Sequence, residues 1–314
     1  MKPKKARKAC VGLLRNRAGA VRLPWLWLIG FIVYFAWNWG AQFAFGLTLG
    51  RLHSHAMNLN YNDAVQAPLW ASMVLRGYEP LLAIVQSAGT IAIFFSLKRL
   101  LHNHGDHEGF DLRCLGRWTL LGLGAALAGT LLCLLTDSLR LELPLSEPRL
   151  SLSLLEALPV CLLDTMAGEV FMMDYLYESA RSHLRLLPSI VLLVAVEFIA
   201  EAGWHLSWIG RINVILQILL CCELHDRYGL AAPTGLWFGW GVVQSAVFSM
   251  DGSGVWTAYC VSESWLTGGS HGLFNGACMT ALLVGVLLWL KPWRRWQRRD
   301  MRTTAKGECA KSSR

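Results

Sequence analysis

The sequence predicts an all-α fold: a polytopic membrane bundle of about eight transmembrane helices. Three observations carry that expectation. Of 314 residues, 54% are hydrophobic and only 16% charged, where an average soluble domain carries about 25% charged residues. Apolar stretches of membrane length recur along the chain, and its mean hydropathy is +0.39. The net charge of +8 gathers at the two ends, in MKPKKARK with Arg15, Arg17 and Arg22, and in the KPWRRWQRRDMR that begins at Lys291.

A helix needs about 20 apolar residues to cross the hydrocarbon core. The spans expected by that measure are Pro24–Gly50, Pro80–Leu100, Gly116–Thr136, Leu154–Tyr177, Pro188–Trp208, a short Ile212–Leu224, Leu230–Phe248 and Gly272–Leu290. The first is open to a split at Asn38. Its basic flank and long apolar run read as an uncleaved span rather than a signal peptide. The chain therefore divides into a basic N-terminus (1–23), a helical membrane domain (24–291) and a basic tail (292–314).

Charge placement orients the bundle. With the N-terminus inside, the inner loops hold Lys98, Arg99, Arg113, Arg117, Arg181, Arg185 and Arg227, and the outer loops hold Arg51, Arg76, Arg140, Arg149 and Arg211. The excess inside follows the positive-inside rule and puts both termini on the cytoplasmic side of a bacterial-type inner membrane. Cations flanking apolar spans speak for the lipid bilayer, and no nucleic-acid partner is expected. Trp25, Trp27, Trp37, Trp39, Trp289, Trp293 and Trp296 cluster near span ends, as interfacial anchors do.

Nine cysteines are scattered through apolar segments without a CxxC pair or zinc-ligand spacing, so they read as core or membrane-facing residues. The loop HNHGDHE, His102 to Glu108, has metal-ligand residue types but reads as a solvated loop, because a flexible loop pre-organises ligands poorly. Gly116 to Gly129 makes the third span rich in small residues, which allow close helix packing. No metal and no cofactor is expected.

The stretch with most chemistry is MAGEVFMMDYLY, Met166 to Tyr177. It places Glu169 and Asp174 in an apolar span, and an ionisable group there is a functional candidate by default. Glu169 in the fourth span and His205 in the fifth are a plausible base-and-partner pair for activating water. The structural alternative is that both only hydrogen-bond within the bundle. Glu201 lies one helical turn before His205 on the same face, which allows a second pair. The chain has no HExxH helix and no GxSxG elbow.

The fourth span, GEVFMMDYLY, resembles the EExxxR helix of the CAAX prenyl protease and bacteriocin-processing family of intramembrane glutamic proteases, also called the abortive-infection family, whose members read close to EEVFFRGYLY there. The fifth span resembles that family's FxxxH helix, with His205 in the histidine place. YGLAAPTGLWFGWGVVQSAVFSMDGSG is similar to its third motif, and WLTGGSHG to its LTGGAFGPE. The likeness covers the C-terminal half in detail and extends more loosely upstream, giving a protease-like core of about 110–291.

The same comparison implies losses. The family's water-activating Glu falls on Gly168, its Arg on Met173 and the Gly after it on Asp174. The Phe place of the second motif is Glu201. The oxyanion-side His falls on Trp237, and its paired Asn on Gly241. Glu169 and His205 remain. His271 and Asn275 have HxxxN spacing but belong to the entry of the last span. The resemblance thus implies a degenerate peptidase homologue that binds a membrane partner or peptide. The competing expectation is an active intramembrane endopeptidase using Glu169 or Glu201 with His205. A transporter would call for inverted repeats, and none is visible.

Overall fold

The computed structural model describes residues 21–56, 79–101, 110–142, 150–200, 207–249, 256–260, 265–268 and 276–291. The chain is mostly helical. In order come α1 (Leu23–Ala56), α2 (Glu79–Leu101), α3 (Leu112–Leu135), β1 (Leu139–Glu142), α4 (Leu150–Glu169), α5 (Glu178–His183), α6 (Leu186–Ala200), α7 (Trp208–Tyr228), α8 (Ala231–Gly241), β2 (Phe248–Ser249), β3 (Trp256–Cys260) and α9 (Ala277–Leu290). Two wider π-helical stretches, Val170–Tyr177 and Val242–Val247, continue α4 and α8.

Among the described residues four helices are long and apolar enough to cross a membrane: α1, α2, α3 and α7. α7 corrects the expectation of a short sixth span, because it runs 21 residues. Its polar ends, Arg211 and His225–Tyr228, stay helical although hydropathy alone excludes them. α1 is one continuous helix through Asn38, whose amide donates to Tyr34 O one turn back at 2.9 Å. Local chemistry sets several ends. Asp111 caps α3 by accepting from Arg113 N at 2.9 Å, and Ser207 caps α7 by accepting from Gly210 N at 3.0 Å. Gly229 ends α7 at φ 71°, a left-handed turn that suits glycine.

The helical stretches alternate in direction. At one end the start of α1 meets the end of α5, with His183 Nε2 3.2 Å from Val21 O. There also the end of α2 meets the π-helical stretch through Lys98 and Asp174, and the end of α7 meets the end of α9 through Arg227 and Leu290 O. At the other end Asn213 near the start of α7 donates to Gly276 O at 3.1 Å, just before α9. A small sheet of order β1-β3-β2 also lies there, β1 antiparallel and β2 parallel to β3. These short strands were not expected from a purely helical pattern. They lie outside the apolar runs that dominate the sequence signal.

The closest packing joins α3 and α8, which run parallel. A Cβ on Gly122 would run into Leu236 O, and one on Gly239 would run into Thr119 O. The small residues of the third span thus let two backbones approach. Another core surrounds the first π-helical stretch. Tyr34 stacks on Phe171 at 4.6 Å, Phe94 lies 5.0 Å from Tyr175, and the Tyr175 hydroxyl donates to Leu26 O at 2.7 Å. Trp27 and Trp37 are internal packing residues as well as tryptophans of the first span: Trp27 donates to Ser179 Oγ at 3.0 Å and Trp37 to Gln86 O at 2.9 Å.

Candidate functional site

Three neighbouring groups of residues follow the line of α4 and its π-helical continuation. The innermost holds Glu169. This carboxylate is buried, 8% exposed. The Cys221 thiol of α7 donates to its Oε1 at 3.7 Å, and the Trp237 indole N–H of α8 donates to Cys221 Sγ at 2.9 Å. The structure therefore brings Glu169 and Trp237 together through Cys221. The second carboxylate oxygen, Oε2, is buried without a hydrogen-bond partner. No cation touches Glu169 among its described contacts, and Met173, one turn on, is a buried apolar side chain.

Glu201 and His205 lie outside the described residues, as do His271, Asn275 and the HNHGDHE loop. Gly168 and Gly241 lie within them, and a Cβ at either would meet nothing within 4 Å. Gly168 opens into a hollow of about 950 Å³ between α1, α2, α4 and α6. Asp164, one turn before Gly168, and Glu197 of α6 also line this hollow, with Asn38, Gln86 and Thr90. Ser87 Oγ donates to Asp164 Oδ1 at 3.4 Å.

The third group sits at the end of the bundle where α2, α5 and α7 meet. Lys98 Nζ lies 2.6 Å from Asp174 Oδ1 and 2.9 Å from Glu178 Oε2. His225 Nε2 approaches the same two carboxylates at 3.9 and 3.8 Å. Ligand atoms of Asp174, Glu178 and His225 lie within 4.8 Å of one another, a spacing a metal ion could use. The Lys98 ammonium already supplies the positive charge, so these residues are explained as an ion network. Burial pushes the Glu178 carboxyl up from its ordinary value, the Asp174 charge adds to this, and Lys98 and His225 oppose it. The inner-loop cations read from sequence thus gather at one end, where a second hollow of about 780 Å³ also holds Arg99 and Arg181.

Sequence reasoning singled out Glu169 and Asp174 but missed Asp164 and Glu197. The same signal, an ionisable residue inside an apolar span, marks both. Cys221 had no such signal, because a cysteine in an apolar helix ordinarily packs as a small hydrophobe. Compared with family models, curated proteins and solved structures, the chain matches none.

Proposed function

We propose that this chain is a multi-pass membrane protein that binds a membrane-embedded peptide or partner in the hollow beside Gly168 and does not cleave it. In this reading eight helical passes cross a plasma membrane of bacterial type and both termini face the cytoplasm. Alternation of the helical stretches and the gathering of Lys98, Arg99, Arg181 and Arg227 near one end support that orientation.

The observation that carries the functional reading is the state of position 168. The CAAX-protease resemblance puts the water-activating carboxylate there, and the chain offers a glycine open to a large hollow. Behind it Glu169 is bonded to Cys221 rather than to a basic group. The Trp237 N–H, in the oxyanion-histidine place, is committed to the Cys221 sulfur. Gly241 carries no side-chain donor. Losing a single oxyanion donor costs roughly a hundredfold in rate or more, so these replacements together favour binding without turnover.

Filling the hollow tests the reading. Gly168→Trp places an indole where no atom lies within 4 Å of the added Cβ. Binding of hydrophobic membrane peptides to the purified chain in nanodiscs should fall at least tenfold, with the melting temperature unchanged. Unchanged peptide affinity in a folded variant would exclude the hollow as the binding chamber.

A further inference from the structure

Asp164 stands near the middle of the helical stretch Leu150–Tyr177, and Ser87 and Thr90 face it from the middle of α2. A carboxylate at that depth is expensive unless it meets water or a cation. Its described hydrogen bond, from Ser87, is a long one at 3.4 Å. No lysine, arginine or histidine is among the described residues lining the hollow. The inner ion network differs on this point, because Lys98 lies within 3 Å of its two acids.

Aromatic rings from α1 and from the π-helical stretch also line the hollow. Phe31 meets Phe171 edge-on at 5.6 Å, and Tyr34 stacks on the same ring at 4.6 Å. Aromatic faces beside carboxylates suit an organic cation, through charge pairing and through the ring quadrupole. A volume of about 950 Å³ exceeds one side chain and matches the upper range of ordinary ligand sites, roughly 300–1,000 Å³.

We infer that the hollow receives a protonated amine carried on an apolar body, with the ammonium against Asp164. This rests on the reading of the hollow as a binding chamber and adds the chemistry of its occupant. The amine belongs either to a lysine within a membrane-spanning peptide or to a free amphiphile, and the two arms of the test separate these sources.

The test uses the full chain in nanodiscs, with empty nanodiscs as the partition control. One pair of probes is dodecylamine and dodecanol. The other is a leucine-rich membrane peptide with one central lysine and its all-leucine twin. The charged member of at least one pair should bind at least tenfold more tightly than its neutral twin. Asp164→Asn should abolish that preference, and Asp164→Glu should keep it. Thermal melting confirms that each variant is folded. A preference confined to the peptide pair assigns the site to a lysine, and one confined to the alkyl pair assigns it to an amphiphile. Equal binding of charged and neutral twins, or a preference that survives Asp164→Asn, overturns the inference. Equal peptide binding that Gly168→Trp still blocks would refute the ammonium and leave the chamber standing. If no member of either pair binds, both ideas fail.

Discussion

Two glycines of α3, two residues apart, should respond in opposite ways to the same added methyl group. Gly122 faces α8, where a Cβ would run into the Leu236 carbonyl oxygen and come within 3.1 Å of Trp240 N. Those neighbours are backbone, so relief requires one helix to move. Gly124 faces open space, with nothing within 4 Å. Replacing glycine by alanine within a helix contributes about 1 kcal/mol of propensity, common to both sites. Their difference isolates the clash, for which overpacking in a tight interface costs about 1–3 kcal/mol. Gly124→Ala is expected to be stabilised and Gly122→Ala to fall below it by that amount. Denaturant-dependent unfolding of both variants in the same detergent measures the difference. A Gly122→Ala protein as stable as Gly124→Ala would refute the close approach of α3 and α8, and with it the placement of Trp237 beside Cys221.

The other expectations concern the ion network and the buried relay. Lys98→Met leaves Asp174 and Glu178 facing each other with side-chain exposures of 11% and 39%. Removing one partner of a well-buried ion pair costs about 3–5 kcal/mol, reduced here by the half-open Glu178, and adding Glu178→Gln should restore part of the loss in the same unfolding assay. Cys221→Ala takes away the donor to Glu169 Oε1 and the acceptor of the Trp237 N–H. An unsatisfied buried group costs about 1–3 kcal/mol, so Cys221→Ala should melt earlier, while Cys221→Ser, which retains a donor and acceptor, should stay closer to the parent. A Cys221→Ala protein as stable as the parent would remove the relay from the account.

The helical architecture was legible because the lipid environment leaves a long, one-signed signal in sequence: stretches from Leu23 to Leu290 are apolar almost throughout. The length of α7 was not, since Arg211, Glu223, His225 and Arg227 dilute its hydropathy, although the last three have partners in the fold. Glu223 is buried and pairs with Arg227 one turn later, and Arg227 also reaches Leu290 O. The sheet was invisible for a different reason: β1 and β3 are 4 and 5 residues long, and their pairing joins segments far apart in the chain. At the site, Glu169 and Trp237 were found by position within motifs. Cys221, which connects them, lies in a helix that carries none of those motifs. The widening of the helix over Val170–Tyr177 has no mark in the residues themselves. π-Helical turns gather at functional sites, and this one begins directly after Glu169 and carries Asp174.

The central claim is that the bundle holds a membrane segment and leaves its peptide bonds intact. A photo-reactive benzoylphenylalanine in place of Phe35, a half-exposed ring that lines the hollow, followed by mass analysis of the captured membrane peptide, tests this most directly. The account predicts cross-linked peptides of full, uncleaved mass. Peptide fragments whose formation disappears with Glu169→Ala, Glu201→Ala or His205→Ala would contradict it and establish an active endopeptidase.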